Sequence, residues 1–236
     1  MGPATRFASH GPRRPGKLAI VAILAACLGA GCRKATPKSE AITSANENVT
    51  TSSEQLAKVG APAPDFDLPD LDGHRVKLSA LRGKTVVLEW FNPECPFVRA
   101  SHTKGSLVDT AHRQTANGVV WLAINSNAAG KQGFGVEKNR EGKQRYGLTH
   151  PILLDPSGEV GKRYDAKRTP HLFVIDARGV LVYRGAIDNS PDGEGETPKD
   201  GKLVNYVEAA LADLSAGRPV ATAETEAYGC SVKYAN

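Results

Sequence analysis

The chain has 236 residues, which is long enough for one domain with flanking segments or for two small domains. Its hydrophobic content of 40% and charged content of 23% are those of a soluble globular protein. The formal net charge of +5 comes mainly from four residues near the start of the chain: Arg6, Arg13, Arg14 and Lys17. Without them, 26 basic residues face 25 acidic ones, so the composition gives no basis for nucleic-acid binding and no nucleic-acid partner is expected.

The first 32 residues have the pattern of a lipoprotein-type signal peptide. A basic segment precedes a short apolar core at residues 18–26, which is too short for a permanent membrane helix. Cys27 and Cys32 each follow small residues, as does the cysteine that is lipidated in a bacterial lipobox. Leu24 stands three residues before Cys27 and favours it, whereas lipidation of Cys32 would leave two thiols in the mature domain. Both cysteines remain candidates, and an ordinary cleaved signal is the alternative.

The segment that follows has the composition of a flexible linker. Residues 33–58 are rich in Ser, Thr, Asn, Glu and Lys, and such a segment cannot bury enough apolar surface to offset the entropy of ordering. We expect a flexible polar linker that tethers a folded domain to a membrane through the lipid anchor. The predicted location is the periplasmic side of the bacterial cell envelope.

A folded domain is expected from residue 59 to residue 216. Asp72-Gly73 between alternating segments predicts one β-hairpin, and Ala177-Arg178-Gly179 after the run HLFVID predicts another. Near-continuous apolar runs predict strands covered on both faces at residues 85–91 and 119–124. Helices are predicted at residues 97–115, 136–146, 157–165 and 202–216. The order of these elements predicts an α/β sandwich with helices on both faces of a mixed central sheet.

Cys95 is the strongest candidate for chemistry. It lies between a predicted buried strand and the N-terminus of a predicted helix, with Pro96 in the first turn of that helix. Unpaired N–H groups and the helix dipole stabilise negative charge there, which favours a thiolate. A thiolate is the nucleophile in disulfide exchange and in peroxide reduction. The alternative is a buried structural cysteine.

Four segments resemble the thioredoxin superfamily. Residues 59–83 resemble the opening of its redoxin branch, and VVLEWFNPECPFV at residues 86–98 resembles its first strand, redox turn and helix start. Residues 168–171 resemble its cis-proline loop, and YGCSVKY at residues 228–234 resembles the ending of a subgroup of exported peroxiredoxin-like proteins. The resemblance covers roughly residues 59–216 and implies a thioredoxin-like three-layer sandwich.

The redox turn departs from that family in one respect. Thioredoxin-like reductases usually carry Cys-x-x-Cys, but here the turn reads Cys95-Pro96-Phe97-Val98, and valine cannot resolve a mixed disulfide. The predicted C-terminal tail, residues 217–236, carries Cys230, which could fold back onto the turn. In an oxidising compartment a Cys95–Cys230 disulfide is reasonable, either as a catalytic resolving pair or as a permanent structural clamp.

The resemblance also implies roles for residues outside the turn. It predicts a cis peptide bond before Pro170, and it makes Pro96, Thr169 and Pro170 substrate-binding residues, with Thr169 acting through its main chain. Glu89 occupies the position of a buried acid that assists proton transfer in thioredoxins. Burial would raise its pKa towards neutrality and suit it to acid–base catalysis, whereas a solvent-facing Glu89 is the alternative.

Three functions are compatible with these residues. The first is a peroxiredoxin-like thiol peroxidase, in which Cys95 is oxidised by a peroxide, Cys230 condenses with the sulfenic acid, and an external dithiol regenerates the enzyme. The alternative is a thiol–disulfide oxidoreductase that acts on disulfides of exported proteins. A non-catalytic or copper-handling module is the second alternative, suggested by His102 and His171. We expect no resident metal and no cofactor.

Overall fold

The computed structural model describes residues 55–235. The predicted signal peptide with Cys27 and Cys32, and the predicted linker up to residue 54, lie outside the described residues. The strands in chain order are β1 (Asp67–Pro69), β2 (Arg75–Lys77), β3 (Val86–Trp90), β4 (Val120–Asn125), β5 (Ile152–Leu154), β6 (Arg168–Thr169), β7 (His171–Ile175), β8 (Leu181–Gly185) and β9 (Cys230–Ser231). The α-helices are α1 (Pro96–Thr103), α2 (Thr110–Ala116), α3 (Val136–Arg145), α4 (Glu159–Arg163) and α5 (Tyr206–Ser215), with a 3₁₀ turn at Leu78–Leu81.

The central sheet has the strand order β5-β4-β3-β7-β8. β3 is parallel to β4 and β4 to β5, whereas β7 is antiparallel to both β3 and β8, so the sheet is mixed as predicted. Every residue of β3 and of β7 is buried, because these strands lie at the centre of the sheet with side chains packed on both faces. The C-terminal end of β3 leads directly into the turn that carries Cys95.

The two faces of the sheet have separate cores. Alternate residues of β3 point to opposite faces, so Trp90 packs with Tyr164 and Phe173 on one side. On the other side Val87 packs with Trp121 and with buried residues of α2 and α5. Helices therefore cover both faces, and the predicted three-layer sandwich is confirmed.

The single helix predicted at residues 97–115 is wrong. α1 ends at Thr103 and α2 begins at Thr110, with Gly105 between them. A Cβ atom at Gly105 would lie 2.2 Å from the carbonyl oxygen of Gly193, so the connection between the helices packs closely against a distant loop. Asp109, which precedes α2, has a left-handed φ of 56° that a continuous helix does not allow.

The C-terminal tail is part of the folded structure. Val232 is buried in the core that contains Trp90, and its N–H donates to the carbonyl of Lys167 at 3.1 Å. The N–H of Lys233 donates to Asn127 Oδ1 at 3.0 Å, and the Tyr234 hydroxyl donates to the carbonyl of Ala166 at 2.7 Å. These contacts hold the tail on the C-terminal side of Cys230.

The folded structure begins within the predicted linker. Ala57, at the end of the predicted linker, is buried, and its N–H donates to the carbonyl of Arg163 at 2.8 Å, so packed structure begins before residue 59. Within residues 55–235, no helix has the length and apolar character needed to cross a membrane.

Removing buried methyl groups from the tail should destabilise the whole domain. We expect Val232→Ala to lower the free energy of unfolding by about 1–3 kcal/mol, because it leaves a cavity in the core. Ser231→Ala, at the adjacent exposed position, is the matched control and should change it little. Urea unfolding of the full chain measures both. Equal stability of Val232→Ala and the wild type would show that the tail is not packed in solution.

Candidate active site

Cys95 is held at the N-terminus of α1 by a tight turn. It is the N-cap residue of that helix, Pro96 is its first residue, and the N–H of Cys95 donates to the carbonyl of Asn92 at 3.1 Å. The Asn92 side chain accepts from the N–H of Glu94 at 2.9 Å, which fixes the turn that follows β3. Cys95 is 0% exposed and lies in an apolar cluster with Phe91 and Val98.

The cis-proline loop lies against the sulfur of Cys95. The Thr169–Pro170 peptide bond is cis, as predicted. The Cys95 thiol donates to the carbonyl oxygen of Thr169 at 3.2 Å, so the main chain of Thr169 contacts the sulfur directly. Thr169 is buried, and its hydroxyl oxygen is without a hydrogen-bond partner among the described residues.

Strand β9 brings Cys230 to the same place. β9 is antiparallel to β6, and Cys230 stands opposite Thr169 in that pairing. Cys95 and Cys230 are both free thiols, and Cys230 packs against the apolar cluster that contains Cys95. The structure thus brings together the two cysteines that the sequence singled out.

The two thiols also interact electrostatically. Partial burial, followed by a hydrogen bond and charge repulsion from Cys95, raises the pKa of Cys230 to about 11, and Lys233 and the N–H of Phe97 offset this only in part. At neutral pH the Cys230 sulfur therefore keeps its proton. Cys230 is partly exposed, in contrast to Cys95.

Glycine is required immediately before Cys230. Gly229 has φ of +113°, and a Cβ atom there would lie 2.3 Å from the carbonyl oxygen of Thr169 and 3.5 Å from Cβ of Phe97. Any side chain at residue 229 would push β9 away from β6 and from the redox turn. The closeness of the two sulfurs therefore depends on this glycine.

A hydrogen bond to a buried carboxylate anchors the tail on the N-terminal side of Cys230. The Tyr228 hydroxyl donates to Oδ1 of Asp188 at 2.7 Å, and the Tyr228 ring lies 6.4 Å from the ring of Phe97. Asp188 is buried and also accepts from the Ser106 hydroxyl and from the N–H of Ser190. Burial and the Asp188 carboxylate hold the pKa of Tyr228 above its ordinary value. The sequence analysis missed Tyr228 and Asp188, because they meet only in the folded chain.

Glu89 is buried, but its surroundings differ from those expected. It is 0% exposed; Oε1 lies 2.7 Å from Nε2 of His102, and Oε2 accepts from Nε1 of Trp121 at 3.1 Å. Burial alone would raise the pKa of Glu89, but the charge and hydrogen bond of His102, with smaller contributions from His150 and Trp121, hold it below its ordinary value. The predicted rise in pKa is wrong, and so is the solvent-facing alternative. The hydrogen bond between Glu89 and His102 holds α1 against the sheet.

The two histidines that suggested copper are used elsewhere. His102 pairs with Glu89 and stacks on Tyr146 with ring centroids 5.7 Å apart. His171 packs on Phe173, and its Nδ1 accepts from the N–H of Lys167 at 3.4 Å. In the described part of the chain, the one group of three metal-ligating side chains is Asp70, Asp72 and His74, in the β1–β2 hairpin. That group does not include either cysteine.

Comparison with known proteins identifies relatives of two kinds. The Redoxin family model matches residues 58–200. A thiol-disulfide oxidoreductase ResA of Geobacillus kaustophilus is 38% identical over 122 residues, which are 51% of this chain and 65% of the relative. A protein of Mycobacterium tuberculosis named as a peroxiredoxin is 28% identical over 145 residues, which are 61% of this chain and 81% of the relative. This chain thus spans less than two thirds of the length of the ResA relative.

A solved structure matches more of the chain. The crystal structure of an uncharacterized conserved protein from Geobacillus kaustophilus has a TM-score of 0.66 and 33% sequence identity. The match covers 76% of this chain and 94% of that one, so the two share the same architecture almost throughout the described residues.

Two buried histidines should make the fold sensitive to acid. Burial lowers the pKa of His150 and of His171 from 6.5 to about 4. Between these values the unfolded chain binds protons that the folded chain excludes, so the free energy of unfolding decreases as the pH falls from 6.5 to 4. Each histidine accounts for up to about 3 kcal/mol of that decrease. Urea unfolding at a series of pH values measures the slope, and His150→Gln should flatten it.

The exposed His112 provides the control for that slope. His112→Gln makes the same substitution at an exposed position and should leave the slope of unfolding free energy against pH unchanged. Identical slopes for His150→Gln and His112→Gln would show that His150 is not held neutral by the fold.

Proposed function

We propose, since the chain belongs to the Redoxin family, that the protein is a thiol–disulfide oxidoreductase whose two redox sulfurs are Cys95 and Cys230. One observation carries this proposal. β9 pairs with β6 so that the Cys230 thiol interacts with Cys95, in a chain whose redox turn has Val98 where the second cysteine would stand. The tail supplies the thiol that the turn lacks.

The surroundings of Cys95 suit disulfide exchange. Its sulfur lies at the N-terminus of α1, where the helix dipole and unpaired N–H groups favour negative charge. The neighbouring Cys230 has a raised pKa and keeps its proton at neutral pH. When one of the two sulfurs is in a mixed disulfide with a substrate, attack by the other closes the Cys95–Cys230 disulfide and releases the substrate sulfur as a thiolate.

The proposed cycle transfers two electrons. The Cys95–Cys230 dithiol reduces a protein disulfide to two thiols and becomes a disulfide, and an external dithiol then reduces the pair while becoming a disulfide itself. The substrates are therefore disulfides of other proteins, and the second partner is a dithiol reductant. The name of the ResA relative supports this chemistry.

We place this activity outside the cytoplasm. Disulfides persist in exported proteins, so a substrate of this class meets the enzyme there. The pattern at residues 1–32 supports export, with a lipid on Cys27 or Cys32 as the proposed membrane anchor and residues 33–54 as part of the tether.

A thiol peroxidase is the second candidate. The complete burial of Cys95 favours it, because a peroxide is small enough to enter where a protein is not, and the name of the Mycobacterium tuberculosis relative agrees. However, the described contacts of the Cys95 sulfur are a carbonyl oxygen and a thiol within an apolar cluster. A peroxidase must stabilise the negative oxygen that leaves when the O–O bond breaks, and these groups offer no cation for that purpose. We therefore rank disulfide exchange above peroxide reduction.

The test is the formation and the potential of the Cys95–Cys230 disulfide. Trypsin places these cysteines on different peptides, residues 85–99 and 203–233, so mass spectrometry without reduction detects the link directly. We expect oxidised glutathione to produce it in the reduced full chain, and expect neither Cys95→Ser nor Cys230→Ser to form it. Dithiothreitol redox buffers then give the potential.

The outcome also separates a catalytic pair from a permanent clamp. A potential within the range of known exchange proteins, about −120 to −270 mV, supports the proposed function. A potential below about −300 mV indicates a structural disulfide and contradicts it.

Rates with two oxidants distinguish the candidate functions. We expect the link to form at least ten times faster with an equimolar protein disulfide than with an equimolar amount of hydrogen peroxide, because the described side chains in contact with the Cys95 sulfur include no cation to stabilise the leaving oxygen. Stopped-flow measurement of tryptophan fluorescence follows both reactions, with Cys230→Ser as the control for signals unrelated to the link. Faster oxidation by peroxide would favour the thiol peroxidase over the thiol–disulfide oxidoreductase.

A further inference from the structure

We propose that Cys230, and not Cys95, is the sulfur that exchanges with external thiols and disulfides. This inference rests on the proposed function, because it requires a Cys95–Cys230 disulfide as one state of the enzyme. It assigns Cys95 to the internal half of the cycle, in which it closes and opens the disulfide with Cys230. The sequence alone favours Cys95 as the nucleophile in disulfide exchange.

Access is the first ground for this assignment. Cys95 is 0% exposed and lies beneath Thr169 and β9, whereas Cys230 is partly exposed and the following Ser231 is exposed. Disulfide exchange requires the attacking sulfur to reach the sulfur with which it bonds, so access decides which of two linked sulfurs is attacked. An external thiol meets Cys230 first.

The tail segment over Cys95, residues 228–234, is held in place on both sides of Cys230. Before Cys230, Tyr228 is bound to the buried Asp188 at 2.7 Å. After Cys230, Val232 is in the core and Tyr234 donates to the carbonyl of Ala166. Exposing Cys95 would require breaking one of these sets of contacts, whereas Cys230 can be reached with the tail in place.

The leaving group is the second ground. Attack on Cys230 expels Cys95 as a thiolate at the N-terminus of α1, where the helix dipole stabilises its charge. Attack on Cys95 would instead expel Cys230, which lies on strand β9 and not at a helix N-terminus. Both access and leaving-group stability therefore favour attack on the same sulfur.

Each half of the cycle consists of two successive thiol–disulfide exchanges. In reduction of the enzyme, a thiolate of the reductant bonds to Cys230 and the bond to Cys95 breaks, which leaves Cys95 as a thiolate. The second sulfur of the reductant then attacks its own sulfur in the mixed disulfide, and Cys230 leaves and takes up a proton. In the oxidising direction, Cys230 gives its proton to solvent and bonds to one sulfur of the substrate disulfide, so the substrate S–S bond breaks and the first substrate thiolate leaves. Cys95, which likewise gives up its proton, then attacks Cys230, so the bond between Cys230 and the substrate breaks and the second substrate thiolate leaves. The two substrate thiolates take up the two protons.

Glutathione identifies the exchanging sulfur. The full chain with Cys27→Ser and Cys32→Ser is oxidised, and the Cys95–Cys230 link is verified by peptide mass spectrometry. The linked protein is mixed briefly with reduced glutathione and quenched with acid, and the glutathione adduct is located on residues 85–99 or on residues 203–233. We expect the adduct on Cys230 to exceed the adduct on Cys95 at least tenfold.

The possible outcomes separate this inference from the function on which it rests. Glutathione found mainly on Cys95 of the linked protein would overturn the inference and leave disulfide exchange intact. Failure of the oxidised protein to form the link at all would overturn the proposed function, and the inference with it. A predominant adduct on Cys230 supports both.

Discussion

The proposed redox site depends on the pairing of β9 with β6. This pairing places Cys230 opposite Thr169, whose carbonyl accepts from the Cys95 thiol at 3.2 Å. Because Val98 cannot act as a second thiol, the proposed partner of Cys95 is Cys230, 135 residues further along the chain. The close approach is possible only because Gly229 has no side chain to strike the Thr169 carbonyl.

A disulfide between two residues so far apart in the chain would also change the stability of the fold. In the chain-entropy account, a disulfide that closes a 15-residue loop stabilises a protein by about 3 kcal/mol and one that closes a 100-residue loop by about 4.7 kcal/mol. A link between Cys95 and Cys230 therefore stabilises the fold more than a link within a four-residue turn. Conversely, the contacts of Tyr228, Val232 and Tyr234 keep the two thiols together and so favour the oxidised state.

Local patterns predicted the parts of the fold that local physics determines. Apolar runs indicated β3 and β4, Asp72-Gly73 indicated the β1–β2 hairpin, and the resemblance around Pro170 indicated the cis peptide bond. The break between α1 and α2 was missed, and the close contact between Gly105 and the Gly193 carbonyl that accompanies it is made only in the folded chain. β5 was missed because a three-residue strand is too short to show a period.

The pKa of Glu89 shows why a site can be located from sequence while its electrostatics cannot. Burial was one of the two environments that the apolar strand allowed for Glu89, but the direction of the pKa shift is set by His102 and Trp121, which approach from α1 and β4. A carboxyl group with a lowered pKa is ionised at neutral pH and cannot donate a proton to a departing thiolate. In the proposed cycle the proton-carrying thiol is Cys230, which lies on the partly exposed tail, so its proton can exchange with solvent. The buried Glu89 carboxylate instead anchors α1, the helix at whose N-terminus Cys95 lies, through its hydrogen bond to His102.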